Sequence, residues 1–128
     1  MLEHLTTELV ENIFDHLPVE ISFVDIEDTV RYYSHGDDRI FKRTPAVIGR
    51  KVQHCHPAKS VHIVQQILDD FKAGKRDVAP FWLNLDGRFI YIRYFAVRDK
   101  ADNYQGTLEV TQDITDIQKI KGEKRLLD

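Results

Sequence analysis

Two histidines flank the single cysteine of the chain, in the order His54-Cys55-His56. In an extended segment, His54 and His56 would point to one side of the backbone and Cys55 to the other. Imidazole nitrogens are ligands of zinc and iron, but a structural zinc site takes about four ligands and a catalytic site about three. The missing ligands would have to come from His16, His35 or a carboxylate, because no second close pair of such residues exists.

The same three residues have two other interpretations. Pro57 follows directly, and proline is typical of the first turn of a helix, so the segment could simply lead into a helix with Cys55 packed as a small apolar side chain. Thiols near helix N-termini and protonated histidines often react as thiolates, which keeps a redox role open. The helix entrance is the preferred interpretation. The alternative is a metal- or haem-binding redox sensor that uses His54, Cys55 and His56.

Glu109 is a further residue with chemical potential. The segment TLEVTQ alternates as a strand does, so Glu109 and Thr111 share one face while Leu108 and Val110 share the other. A carboxylate that faces the interior must be paired or protonated, and it could bind a cationic or hydroxylated ligand or form a structural pair. Arg93 would be a partner only if its strand turned it to that side. The preferred interpretation is the opposite orientation, with Leu108 and Val110 inside.

Bulk properties restrict the class of protein. The 128 residues suit one domain, and the net charge of −3 argues against a nucleic-acid surface, which needs a basic stripe. One cysteine permits no internal disulfide and fits a reducing compartment. The apolar runs are too short to span a bilayer, and the N-terminus lacks the apolar region of a signal peptide. We therefore expect a cytoplasmic domain with no nucleic-acid or membrane partner.

Helical periodicity appears at three places that would position these residues. An apolar stripe runs along residues 1–18 and stops at Pro18. The main helix is predicted over 57–73, opened by Pro57 and closed by Gly74. A helix is expected to leave the domain after Thr115. Short helices are also expected in SHGDDRIFKR and in TPAVIG, where Thr44 is a plausible N-cap. Because both ends read as helices that need neighbours, other domains of a longer chain are expected partners.

Strand patterns occupy the remaining segments and predict a sheet built of hairpins. Asp86-Gly87 is a strong hairpin signal between two of them. The predicted strands are a two-strand hairpin within 21–33, then 78–85, 88–98 and 107–112. The strand 88–98 is apolar on both sides except at Arg93, so both sides need cover.

The main helix can cover one side of this strand, and the N-terminal helix or a second copy of the protein must cover the other. A two-fold homodimer through the sheet face and the N-terminal helix is the preferred interpretation, since a large open apolar face is an interface or a hazard. A monomer with the helix as a lid is the alternative. The residues expected on this outer face are Phe81, Leu83, Phe89, Tyr91 and Phe95.

The order of these elements, together with three segments, resembles a PAS domain. The matching segments are FVDIEDTVRYYS, TPAVIGR and LDGRFIYIRYFAVRDKADNYQGTLEVTQDIT, and the resemblance covers roughly residues 20–115. The stretch IGRKVQHCHPAKSVHIV is also similar to PAS domains that follow hemerythrin-like domains in bacterial proteins. We divide the chain into a flanking helix (1–18), a PAS-like domain (19–115) and the start of an outgoing linker helix (116–128).

The resemblance implies an α+β fold, with a five-stranded antiparallel sheet, helices over one face, and flanking N- and C-terminal helices. It implies a sensory or protein-interaction module of signal transduction, which binds a small ligand between sheet and long helix and relays its state through the terminal helices. No enzyme is expected, and no phosphate-binding glycine loop or nucleophile motif contradicts this. The cofactor is unknown. A photoactive flavin is not expected, because Lys51 and Val52 stand where its reactive cysteine would be needed.

The resemblance also assigns candidate residues. Asp113 and Thr115 of the D-I-T motif would join the last strand to the outgoing segment and relay the signal. At position 34 relatives often have Asn, so Ser34 departs from the pattern. The ligand pocket implied by the resemblance consists of Tyr32, Ser34, Val64, Ile67, Leu68, Phe71, Trp82, Asn84, Ile90, Ile92, Tyr94, Glu109 and Thr111.

Overall fold

The computed structural model describes residues 1–127, which form a five-stranded antiparallel sheet with one long helix against it. The strand order is β2-β1-β5-β4-β3. In chain order the elements are α1 (Thr7–Asp15), β1 (Glu20–Asp25), β2 (Val30–Tyr33), α2 (Ala58–Lys72), β3 (Val78–Leu85), β4 (Arg88–Arg98) and β5 (Tyr104–Asp113). Short 3-10 turns occur at Leu2–His4, Pro45–Val47, Val52–Cys55 and Ile117–Lys119. The predicted α+β class and antiparallel sheet are confirmed.

The β3–β4 hairpin has the bounds that the sequence predicts, and its turn explains why. Asp86 and Gly87 both have positive φ, 50° and 81°, as the two central residues of a tight hairpin turn require. Eight residue pairs then align from the turn to the far end, with Phe81 opposite Ile92 and Trp82 opposite Tyr91. This register decides which side chains of β3 lie beneath the helix.

Helix α2 packs its apolar side against the sheet, and a small core forms beneath it. Leu68 joins a buried cluster with Val24, Val30 and Val52, and Phe71 is fully buried. The helix begins after Pro57 and ends before Gly74, whose φ of +73° suits a helix C-terminus. Polar contacts fix that end of the helix, because Nη2 of Arg98 on β4 donates to the carbonyl of Phe71 and Lys72 pairs with Asp28 at 2.8 Å.

Helix α1 is shorter than predicted and leaves its apolar stripe open. It starts at Thr7 because the hydroxyl of Thr6 accepts a hydrogen bond from the backbone N–H of Leu9. Phe14 packs edge-on against Tyr32 of β2, at the sheet edge farthest from β3. Leu9 and Ile13 remain 45% and 43% exposed. The lid alternative is therefore wrong for this arrangement, since α1 lies at the β2 edge.

The segment between β2 and the Pro45–Val47 turn contains no helix, contrary to the prediction, and is organised by a buried arginine. Arg39 pairs with Glu20 at 3.3 Å, and their side chains are 1% and 6% exposed. Its guanidinium also donates to the carbonyls of Ile21, Ser34 and Phe41. Thr44 makes no side-chain cap bond at the following turn. Hydrogen bonds to one charged side chain thus replace helical ones here.

The outgoing helix predicted over 116–128 is wrong for the described residues. Beyond Ile117–Lys119, Ile120 is extended and Gly122 has a φ of +67°. Asp128 lies outside the described residues. No helix in the described part of the chain has the length and apolar character needed to cross a bilayer.

Candidate ligand site between the long helix and the sheet

A cavity of about 780 Å³ lies between α2 and the β3–β4–β5 part of the sheet. Its walls are mostly apolar and include Val64, Ile67, Ala79, Phe81, Leu83 and Ile92. Two of the lining residues, Ile63 of α2 and Phe81 of β3, are 54% and 37% exposed. The cavity therefore opens to solvent along the gap between α2 and β3. A second space of about 20 Å³ continues inward between Val24 and Leu68, which is the size of one water molecule.

Six polar side chains line this mostly apolar cavity, and two of them have partners elsewhere: Ser60 donates to the carbonyl of Pro57, and Arg76 pairs with Asp70. The other four are Arg43, Glu109, His56 and Tyr94. Oε2 of Glu109 lies 3.8 Å from Nη2 of Arg43, and the two side chains are 13% and 17% exposed. This distance is an ion pair but exceeds a hydrogen bond. Glu109 comes from the middle of β5, whereas Arg43 comes from the irregular segment after β2.

Burial dominates the acid–base behaviour of Glu109. Removal from water raises the pKa of its carboxyl above the ordinary 4.5, and the negative Glu20 adds to the rise. The positive charges of Arg43 and Arg39 oppose this shift. Burial therefore favours the neutral carboxyl, and the two arginines favour the carboxylate.

The two remaining polar groups favour their neutral forms. Burial, with a contribution from Glu109, raises the pKa of the Tyr94 hydroxyl, which stays protonated. Burial and the charge of Arg43 lower the pKa of His56 below 6.5, so its imidazole is neutral at physiological pH. A neutral imidazole donates with one nitrogen and accepts with the other.

These groups have unused hydrogen-bonding capacity. Between residues 1 and 127, no group forms a hydrogen bond with the guanidinium of Arg43, the hydroxyl of Tyr94 or the imidazole of His56. An apolar cavity with a few convergent polar groups is the usual form of a small-molecule site.

The structure brings together part of the predicted pocket. Val64, Ile67, Leu68, Ile92, Tyr94 and Glu109 all line the cavity or its inner extension. Thr111 of β5, Ile90 of β4 and Phe71 of α2 are buried at 1%, 0% and 0% exposure, and they do not line the cavity. The orientation of Glu109 is the inward one, so the preferred sequence interpretation was wrong.

Four predicted pocket residues lie elsewhere. Trp82 and Asn84 sit on the opposite face of β3, where Trp82 is 61% exposed and contacts the Tyr91 ring. Tyr32 faces Phe14 of α1. Ser34 is buried at the end of β2, where its hydroxyl accepts from the backbone N–H of Ile21.

Sequence reasoning missed several lining residues, among them Phe81, Leu83 and Arg43. Phe81 and Leu83 were expected on the outer face, but their register with β4 turns them beneath the helix, and the Phe81 and Tyr94 rings are 5.5 Å apart. Arg43 lies in a segment without periodicity, and no pattern in the sequence marks it.

His54, Cys55 and His56 do not act together. Val52–Cys55 forms a 3-10 turn, so the two histidines are not on one side of an extended segment. His54 is exposed, whereas Cys55 and His56 border the cavity. Within residues 1–127, no group of three or more His, Cys, Asp or Glu side chains is placed to hold a metal ion. The two outside candidates, His16 and His35, bond instead to the carbonyls of Asn12 and Leu17.

Asp113 and Thr115 form a compact turn where β5 ends. Oδ1 of Asp113 accepts from the hydroxyl of Thr115 at 2.6 Å and from its backbone N–H at 3.0 Å. These bonds lower the pKa of the Asp113 carboxyl. The same Thr115 hydroxyl accepts from the backbone N–H of Phe89, so the turn is joined to the start of β4.

Comparisons with known proteins agree with this architecture. A family model for the PAS domain matches residues 10–115. The C-terminal domain of a Streptococcus mutans protein is 38% identical, with a TM-score of 0.85 and 91% of each chain covered. The comparison with curated proteins gives no match.

Two more distant structures share the fold. The PAS domain of Bordetella pertussis BvgS is 20% identical, with a TM-score of 0.61 over 84% of this chain and 85% of that one. Vibrio cholerae VqmA, solved as a complex with a ligand and DNA, is 22% identical, with a TM-score of 0.61 over 97% of this chain and 63% of that one. The resemblance seen in the sequence is confirmed, and the chain belongs to the PAS domain family.

Proposed function

We propose that this PAS domain is a sensory module without catalytic activity of its own, which binds a small molecule in the cavity beside α2 and relays the bound state through β5. The cavity carries this proposal. Its volume of about 780 Å³ lies in the range of about 300–1,000 Å³ that is usual for small-molecule sites. Vibrio cholerae VqmA, which shares this fold, was solved in a complex with a ligand and DNA, and this supports the proposal.

The position of Glu109 on β5 supports the proposed relay. Glu109 and Asp113 lie on the same strand, four residues apart, and Asp113 closes the turn with Thr115. A ligand that contacts Glu109 would shift β5, and through it the segment after Thr115. A ligand changes this equilibrium only if it binds one arrangement more tightly than the other. The stretch 48–64 supports placing the module beside a hemerythrin-like domain in a bacterial protein.

Ligand binding is tested with two neighbouring aromatic residues of β3 that point to opposite faces. A fragment screen by 15N-labelled NMR with uncharged bicyclic aromatics should move the amides of Val64, Ile67 and Tyr94. Phe81→Ala should weaken this binding roughly tenfold, because it removes a wall of the cavity. Trp82→Ala, on the other face, should leave the affinity unchanged. Fragments that move no cavity amide would contradict the proposal.

The relay has its own measurement. On addition of a bound fragment, hydrogen exchange of the amides at 114–120 should change, while exchange in α1 should stay constant. Exchange that is the same with and without the fragment would leave binding intact and overturn the relay.

We also propose that two copies pair through the outer sheet face and α1. Both surfaces are apolar and open, with Trp82 61% exposed and Leu9 45% exposed, and they lie at opposite edges of one sheet. In a two-fold dimer, each α1 could therefore cover the β3–β4 face of the partner copy. Trp82→Glu and Leu9→Glu should each yield a monomer in sedimentation equilibrium. Ile63→Glu, on the exposed rim of the cavity, should not.

A further inference from the structure

The polar end of the cavity carries both charges in balance. Arg43 and Glu109 contribute one positive and one negative group 3.8 Å apart. The other ionic groups nearby are already paired: Arg76 at the rim with Asp70 at 3.3 Å, and Arg39 with Glu20 at 3.3 Å. A ligand with a net charge would therefore leave the cavity with an unbalanced charge. The free-energy cost of removing that ligand from water would not be offset by a new ion pair.

The geometry of the Arg43–Glu109 pair also indicates which polar groups a ligand would carry on the edge that faces the pair. Arg43 offers N–H donors and no acceptor, whereas an ionised Glu109 offers acceptors and no donor. Their polar atoms are separated by more than a hydrogen bond, so neither group satisfies the other. A ligand edge with an acceptor beside a donor would bond to both at once.

We propose that the ligand is an uncharged molecule with an apolar, flat body and one edge that carries a hydrogen-bond acceptor next to an N–H or O–H donor, as in a cyclic amide. The acceptor takes a bond from Arg43 and the donor gives one to Glu109. The body lies between α2 and β3, against Ile67, Phe81 and Ile92. This inference rests on the proposed sensory function, because it concerns the same cavity.

Four probes with a common fused bicyclic aromatic body test the inference: quinolin-2(1H)-one, the 2-naphthoate anion, the 2-naphthylmethylammonium cation and naphthalene. Affinities are measured by NMR titration. The wild type should prefer quinolin-2(1H)-one over naphthalene by roughly tenfold or more, since each hydrogen bond to a charged group contributes about 1.5–3 kcal/mol. The two charged probes should bind more weakly than quinolin-2(1H)-one.

Charge variants should reorder these preferences. Glu109→Gln leaves the Arg43 charge uncompensated, so 2-naphthoate should become the best probe. Arg43→Met leaves Glu109, so the naphthylmethylammonium ion should become the best probe. The affinity of naphthalene for the wild type and for both variants should agree within a factor of about three. Naphthalene makes only apolar contacts, so it neither gains nor loses a hydrogen bond or ion pair in the variants. This last measurement also shows that the variants are folded.

The outcomes separate the two proposals. If no probe moves a cavity amide, the proposed ligand site itself is wrong. If naphthalene binds but the wild type favours a charged probe, or the variants keep the wild-type order, the site stands and the uncharged donor–acceptor ligand is overturned.

Discussion

The hydroxyl of Thr115 accepts a hydrogen bond of 2.8 Å from the backbone N–H of Phe89. The backbone carbonyl of Phe89 in turn accepts from the N–H of Ile114 at 2.9 Å. Both backbone groups of the second residue of β4 are thus bound by the turn that follows β5. The end of the strand that carries Glu109 is thereby fastened to the neighbouring strand.

Thr115→Val should lower the free energy of unfolding by about 1–3 kcal/mol, because the half-buried N–H of Phe89 loses its acceptor. Thr115→Ser keeps the hydroxyl and should lose less than about 0.5 kcal/mol, the range of ordinary surface changes. Urea unfolding measures both values. A larger loss in Thr115→Ser than in Thr115→Val would show that packing of the Thr115 methyl group, and not the hydrogen bond, stabilises the turn.

The buried pair of Arg39 and Glu20 predicts a larger effect. Arg39→Met removes the guanidinium and leaves the carboxylate of Glu20 buried without its charge partner, at a cost of about 3–5 kcal/mol. Urea unfolding of Arg39→Met and of the wild type measures this loss in the free energy of unfolding. The segment between β2 and the Pro45–Val47 turn should also become accessible to protease.

A double variant provides the control for this pair. Adding Glu20→Gln to Arg39→Met removes the stranded charge, while the side-chain oxygen still accepts from the backbone N–H of Ile40. The double variant should be more stable than Arg39→Met alone. If it is less stable, the arginine acts mainly through its bonds to the carbonyls of Ile21, Ser34 and Phe41.

Gly106 is the glycine at which the chain tolerates no side chain. A Cβ there would lie 2.3 Å from the carbonyl oxygen of Val24 and 2.5 Å from the Phe23 ring, and φ is +148°. Gly106→Ala should therefore destabilise the protein by about 2–6 kcal/mol, from backbone strain of about 1–3 kcal/mol plus overpacking of about 1–3 kcal/mol. The loss is measured as the decrease in the free energy of unfolding in urea.

Gly87→Ala is the matched control for this clash. Gly87 also has a positive φ, +81°, but a Cβ there meets no atom within 4 Å. This variant should lose only the strain contribution, about 1–2 kcal/mol. Similar losses at both positions would mean that β1 and β5 move apart to accept the added methyl group.

The sequence predicts the regular elements well and the site only in part. The Asp86-Gly87 turn and the alternation around it define β3 and β4 to the residue, and helical spacing defines α2. However, β3 is apolar on both faces, so alternation alone does not decide whether Phe81 or Trp82 faces the helix. The pairing with Ile92 and Tyr91 decides it.

The errors outside the sheet have a different physical origin. Arg39 and Arg43 lie in a segment held by hydrogen bonds to distant backbone groups, and such bonds leave no periodic pattern in a sequence. The predicted outgoing helix depended on three isoleucines and crossed Gly122. A short helix with so little apolar surface is marginal in water unless it packs on a partner.

The burial of His56 predicts a specific dependence of stability on pH. Burial and the nearby charge of Arg43 lower its folded-state pKa below 6.5. Below pH 6.5 the unfolded chain therefore binds a proton that the folded chain resists, so unfolding is favoured as pH falls towards the lowered pKa. Relative to His56→Gln, the wild type should lose stability between pH 7.5 and pH 5.

His54→Gln is the control for this effect, because His54 is exposed and only two residues away. Urea unfolding of His54→Gln over the same pH range shows how much of the change any histidine-to-glutamine substitution in this turn produces. The comparison cancels the titration of the carboxylates, which all three proteins share. A wild type that loses no stability relative to His56→Gln at low pH would show that the imidazole is freely hydrated, and would remove His56 from the polar groups of the cavity.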